Sequence, residues 1–219
     1  MSQKQGQNPF KGLYPYEERD KDIFYGRDRE GEELFKLVKM NLLTVVVGKS
    51  GVGKTSLINA GLFPRLREAG FLPIKLQLDY SPSSAPLPAQ VMQTIQQELR
   101  IHHIREMEIN QGETLWEYFH RKEHVDQAGN RVTPVLVLDQ FEKLFTMGRN
   151  HPHREALVKE LYYLVENQVP HALQEKLLSA GKMSAYTRMQ PGARVVLGLR
   201  EDYLPHMNSL DPQIPSIHQ

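Results

Sequence analysis

The stretch "TVVVGKSGVGKTSLINA", Thr44 to Ala60, constrains this chain more than any other. Leu43 to Val47 is a continuous apolar run, as in a strand covered on both faces. Ser56 to about Glu68 reads as a helix. Between them, Gly48-Lys49-Ser50-Gly51-Val52-Gly53-Lys54-Thr55 matches the Walker A pattern G-x-x-x-x-G-K-[ST]. Glycines let the backbone turn tightly and aim N–H groups inward at phosphate oxygens. The helix that follows points the positive end of its dipole at the same place. In this pattern Lys54 reaches the β- and γ-phosphates and the Thr55 hydroxyl ligates magnesium. Gly48 through Thr55, with Ser56, are therefore the candidate nucleotide-binding residues.

The rest of the composition narrows the class. A chain of 219 residues, 40% hydrophobic and 24% charged, has room for one α/β domain with a sizeable core. Its 27 Lys and Arg nearly balance its 26 Asp and Glu, so no strong field invites nucleic acid. The absence of cysteine excludes disulfides and thiolate zinc sites. The polar start "MSQKQGQNPF" lacks the apolar core of a signal peptide, and no run approaches the roughly 20 apolar residues that span a bilayer. A cytoplasmic protein without a membrane partner is expected.

Around the glycine loop, strands and helices alternate. Residues 1 to about 22 form an arm whose Phe10, Tyr14 and Tyr16 call for a docking surface. A helix begins at about Asp28, its expected N-cap, and buries Leu34, Phe35, Leu37 and Val38. Ile74, Leu76 and Leu78 alternate with polar residues, the pattern of an edge strand. Helices are expected at about Ala89–Arg100, Glu113–Lys122, Pro152–Gln168 and Pro170–Ala180. "HVDQAGNRVT" is turn-like, and strands follow at Val135–Leu138 and Arg194–Leu199. This alternation predicts an α/β fold, a parallel sheet with helices on both faces.

"VLVLDQFEKLF" ends an apolar strand in Asp139, where a carboxylate can hold magnesium, the Walker B arrangement. The next residue, where many ATPases place a catalytic glutamate, is Gln140, which cannot serve as a base. Glu142 either polarises an attacking water or is a first-turn acid favoured by the helix dipole. Arg200, ending the strand in "RVVLGLREDYL", either stabilises the charge of a transferring phosphoryl group or pairs with Glu201 or Asp202. Arg27, in "FYGR", could contact the nucleotide from the arm side.

"NPFKGLYPYEERDKDIFYGRDRE", the glycine loop with "SLINAGLFPRL", "VLVLDQFEKLF" and "VVLGLRED" together resemble the STAND NTPases, specifically the bacterial novel STAND group. The resemblance implies a three-layer α/β/α P-loop core of the ASCE type, with an extra strand between the Walker A and Walker B strands. It implies that Arg200 is the sensor arginine and that Gly26 and Arg27 lie near the nucleotide. It divides the chain into an arm, residues 1–26, and a core, residues 27–219. It further implies an ATP-dependent switch, held closed by ADP and opened by ATP and a trigger, with a signalling or defence role. ATP or ADP, Mg2+ and protein partners (further copies, or sensors and effectors on other segments or chains) come with it. Such proteins carry a further strand, a winged-helix region and usually repeats after the core, so the sheet is expected to be incomplete near "DPQIPSIHQ". Two other readings are a nucleotide-bound interaction module without turnover and a small-molecule or nucleotide kinase.

Other features read as structural. "NSLD" lacks the lysine of a guanine signature, so adenine is favoured. His120, His124, His151 and His153 are expected to be solvated rather than zinc-bound. Trp116 is expected to pack its helix.

Overall fold

The computed structural model describes residues 12, 14–105, 108–121, 123–181, 190–210 and 214–218. Phe10, Lys122 and Asp211 lie outside the described residues. In chain order the elements are α1 (Asp28–Met40), β1 (Leu43–Gly48), α2 (Lys54–Ser56), α3 (Phe63–Glu68), β2 (Phe71–Lys75), α4 (Leu87–Ile101) and α5 (Leu115–Arg121). There follow β3 (His124–Val125), β4 (Arg131–Leu138), α6 (Arg154–Val165), α7 (His171–Ser179), β5 (Arg194–Arg200) and α8 (Leu204–Asn208). A π-helical turn, Leu57–Leu62, joins α2 to α3 into one continuous helical path.

The sheet is open, with strand order β1-β5-β4-β2 and every pairing in that path parallel. The strand between the two motif-bearing strands β1 and β4 is β5, as the resemblance implies. Register then does the positioning. Gly48 pairs with Arg200, and Leu138 pairs with Leu197. The start of the glycine loop, Asp139 and Arg200 therefore emerge together at the carboxyl edge of the sheet, where open α/β sheets bind ligands.

Helices cover both faces because side chains alternate along buried strands. Val135, Val137 and Val196 face Leu34 and Val38 of α1 and Ile58, Leu62 and Leu66 of the π turn and α3. Leu136, Leu138, Val195 and Leu197 face Val91, Ile95 and Leu99 of α4 and Leu157 and Leu161 of α6. Each of these fully buried side chains contributes roughly 2 kcal/mol of apolar transfer free energy. The same burial on both faces explains why these strands read as unbroken apolar runs.

Several local expectations change. β1 lies at one edge of the sheet; Leu43 and Val45 pack on one face and Val46 on the other, as expected, but its last residue Val47 is 41% exposed. β2 lies at the other edge as expected but begins at Phe71, and its ladder closes with Leu76 N–H donating to Val137 O at 2.9 Å. Arg27, not Asp28, occupies the N-cap of α1, while Asp28 and Glu30 sit in its first turn, where the helix dipole favours acids. The "HVDQAGNRVT" segment contains β3, which folds back antiparallel on β4 around a turn closed by Asp126 and Asn130. His120, His124 and His151 are buried, not solvated. His120 bonds to Trp116 O at 2.7 Å and its ring stacks on Trp116, whose indole N–H donates to Asn167. Trp116 does pack its helix, against Tyr163, Val169 and Leu173.

Candidate nucleotide site

At the end of β1 the backbone leaves the sheet through Gly51 and Gly53, with φ of +79° and +85°. A side chain there would be strained, so the loop's curl requires glycine. Gly53 is the N-cap of α2, which aims that helix's first N–H groups into the loop. The ammonium of Lys54 curls back over the loop and donates to the carbonyls of Gly48 and Lys49 at 2.7 and 2.9 Å.

Across the site, Thr55 Oγ1 donates to Asp139 Oδ2 at 2.7 Å, and Gln140 N–H donates to Asp139 Oδ1 at 3.0 Å. Thr55 and Asp139 thus present adjacent hard oxygen donors of the kind magnesium takes. A cavity of about 490 Å³ opens over them, lined by Ser50, Gly51, Gly53, Lys54, Thr55 and Ser56 on the loop side. Asp139, Gln140, Glu142 and Arg200 line it from β4 and β5. Of the expected site residues, Gly26, Gly48, Lys49 and Val52 shape the cavity without lining it. Gly26 turns the chain with φ +80°, the carbonyls of Gly48 and Lys49 hold Lys54, and Val52 O accepts from Arg27 at 3.4 Å.

The arm closes the third side. Tyr16 N–H donates to Ser56 Oγ at 3.1 Å, and Asn59 in the π turn donates to Tyr16 O and Glu17. Arg67 pairs with Glu18 at 2.6 Å. Tyr14, Pro15, Tyr16 and Phe24 consequently line the cavity with a largely aromatic wall, and Arg27 adds a cation beside it. The sequence singled out Tyr14 and Tyr16 as docking residues but did not place them at the loop.

Arg200 donates from Nε and Nη2 to Asp202 at 3.1 and 2.7 Å, and this pairing raises its pKa further. It lines the cavity and pairs with Asp202 at once, so of the two readings open at the sequence the ion pair is the one the geometry shows. Its backbone N–H approaches Glu142 Oε2 at 3.4 Å, which ties β5 to the Phe141–Leu144 turn. Gln140 holds a left-handed backbone, φ +60°, a conformation uncommon outside glycine and concentrated at functional sites.

Gly198 was missed by motif reasoning. A Cβ there would stand 2.7 Å from Asp139 Oδ1, so β5 carries glycine where the carboxylate needs room. The available signal was a glycine interrupting an apolar strand, which marks a close approach.

The family description Novel STAND NTPase 1 matches residues 9–219, which includes every residue of this site. The chain belongs to that family. As a novel STAND NTPase it is a nucleotide-binding NTPase module of the P-loop class. Among solved structures it is similar to the Walker-type ATPase PABY2304 of Pyrococcus abyssi, with a TM-score of 0.53 at 16% identity. That likeness covers 93% of this chain but 53% of the other, so this novel STAND NTPase chain spans about half the length of that ATPase and shares its fold. No curated protein matches the sequence. Among the described residues, no helix is long and apolar enough to cross a membrane.

Proposed function

We propose that the protein is an ATP-binding, magnesium-dependent STAND-type switch module that hydrolyses ATP slowly. The observation that carries this reading is the 2.7 Å bond between Thr55 and Asp139, which sets the strand-end carboxylate against the hydroxyl of the phosphate loop. In this reading Lys54 exchanges the carbonyls of Gly48 and Lys49 for the β- and γ-phosphates, which accept stronger, charge-assisted hydrogen bonds. Thr55 and Asp139 hold the magnesium ion, which when bound neutralises developing phosphate charge. Arg200 approaches the terminal phosphate, and Tyr14, Tyr16, Phe24 and Arg27 receive the rest of the nucleotide. The arm, residues 1–26, then works as a clasp on the core, residues 27–219.

Slow turnover follows from the acid–base chemistry. Gln140 has no proton-accepting carboxylate, and Glu142 polarises water only while it is also drawn to the Arg200 backbone. A signalling or defence role, a cytoplasmic setting and protein partners such as further copies belong to the same proposal; nucleic acid and membranes do not.

Purified protein incubated with ATP, magnesium and candidate acceptors tests it. Phosphate released to water is expected, reduced by Glu142→Gln. Phosphorylation of an acceptor would replace the switch with a kinase. Tight ATP binding without turnover would leave an interaction module, a reading that Gln140 in the base position keeps in play. Lys54→Ala is expected to abolish ATP binding, and unchanged affinity would refute the phosphate-loop assignment.

A further inference from the structure

A second cavity, of about 360 Å³, lies beside Asp139, at the carboxyl ends of β4 and β2. It shares Pro15, Thr55, Asp139 and Gln140 with the nucleotide cavity, so the two spaces meet at the Asp139 carboxylate. Its remaining polar wall is Lys75, Gln77, Tyr80 and Lys143.

The chemistry of this wall is one-sided. Lys75 donates to Asn59 Oδ1 at 3.2 Å, and neither Lys75 nor Lys143 has a carboxylate within ion-pair distance among the described residues. Burial pushes the Tyr80 phenol up to about 12, so its hydroxyl keeps its proton and can donate. The ring is held by close packing: a Cβ on Gly148 would stand 2.8 Å from Tyr80 Cδ1, which glycine avoids. Asp139 is the carboxylate on the wall, and it already accepts from Thr55 and from Gln140 N–H. Two lysines and a phenol on this wall outnumber its single carboxylate, which is already engaged. An oxyanion with several acceptor oxygens and about two negative charges, a phosphate, satisfies them best.

We propose that this cavity is a phosphate subsite formed by Lys75, Tyr80 and Lys143, open to the terminal-phosphate position of the nucleotide site. The proposal rests on the nucleotide reading above. Its occupant is either the phosphate released from ATP or the phosphate of a separate phosphomonoester. Because the two cavities adjoin, a phosphate here repels the γ-phosphate of ATP, and the subsite fills when ADP occupies the loop.

The test uses the full chain saturated with ADP and magnesium, titrated with inorganic phosphate and separately with phenyl phosphate by calorimetry. Saturable binding is expected, weakened roughly tenfold by Lys143→Met and by Lys75→Met, since each removes a charged hydrogen-bond donor. A non-hydrolysable ATP analogue is expected to lower the phosphate affinity. Binding of inorganic phosphate with phenyl phosphate excluded identifies the released phosphate as occupant; binding of both admits a separate phosphomonoester. No saturable binding overturns the subsite, as does binding that neither lysine variant changes and that only Lys54→Ala removes. Lys143 is exposed, so its variant folds and decides the question even if Lys75→Met does not. Failure of ADP itself to bind would instead strike the nucleotide reading, and phosphate titration of the nucleotide-free protein would still separate Lys143→Met from Lys54→Ala.

Discussion

Arg200 and Asp202 face each other as a two-point pair, Nε to Oδ1 at 3.1 Å and Nη2 to Oδ2 at 2.7 Å, at the rim of the nucleotide cavity. The Tyr203 ring lies 5.5 Å from the same guanidinium. In the proposed reading, Asp202 is the group that competes with a terminal phosphate for Arg200. Asp202→Asn is expected to raise ATP affinity relative to ADP by about two- to fivefold, the range of an exposed ion pair. Competition binding with both nucleotides measures the ratio. An unchanged or lowered ratio would mean that Asp202 orients Arg200 rather than restrains it.

Gly198→Ala drives a methyl group into Asp139. With Oδ1 at 2.7 Å from the added carbon, the carboxylate must shift, which strains the bonds that its Oδ1 accepts from Gln140 N–H and its Oδ2 from Thr55. Overpacking of this kind costs about 1–3 kcal/mol of stability. Nucleotide binding is expected to lose its magnesium dependence in this variant, as read by titrating ADP with and without the metal. Retained magnesium dependence would remove Asp139 from the metal site.

Asn59 is 1% exposed and joins three elements: it donates to Tyr16 O and Glu17 and accepts from Lys75. Asn59→Leu leaves these groups without that partner, at a cost of roughly 1–3 kcal/mol. The arm is expected to loosen, seen as faster amide exchange and proteolysis around Tyr14 to Phe24 with slower exchange kept in β4 and β5. Protection of the arm equal to wild type would show that Arg67–Glu18 and Lys21–Glu68 suffice to hold it.

His124 is 2% exposed against Tyr118 and Phe119, and neither ring nitrogen has a hydrogen-bond partner among the described residues. Burial pushes its imidazole from 6.5 down to about 4. Between those values the unfolded chain binds a proton that the folded chain refuses. Stability is therefore full above about pH 6.5 and is lost as pH falls toward 4, by up to roughly 3 kcal/mol. Denaturant unfolding across that window checks it. His124→Leu is expected to flatten the profile, and an unflattened profile would place the acid sensitivity elsewhere.

Much of this molecule was legible in one dimension because its signals are local. The glycine loop, the strand ending in Asp139 and the strand ending in Arg200 each announce themselves within a dozen residues, since apolar runs and positive-φ glycines are set by backbone and burial rules that act at short range. The misreadings share the opposite origin. Val47 looked covered because an apolar run does not show where its last residue leaves the packed layers. His120 and His124 looked solvated because their burial depends on how α5 and β3 pack on distant aromatic and aliphatic side chains.

By itself, the sequence determined that a phosphate-binding loop joins a buried parallel strand to a helix, and that a carboxylate and an arginine end two other such strands. Tertiary structure alone decided that these three ends meet. The pairings Gly48 with Arg200 and Leu138 with Leu197 fix their heights, and Gly198 clears the space in which Asp139 reaches Thr55. It also decided that Arg200 rests on Asp202, and that Lys75 and Lys143 line one cavity beside Asp139. Strand register and side-chain approach are relations between segments far apart in the chain, and no local pattern of residues encodes them.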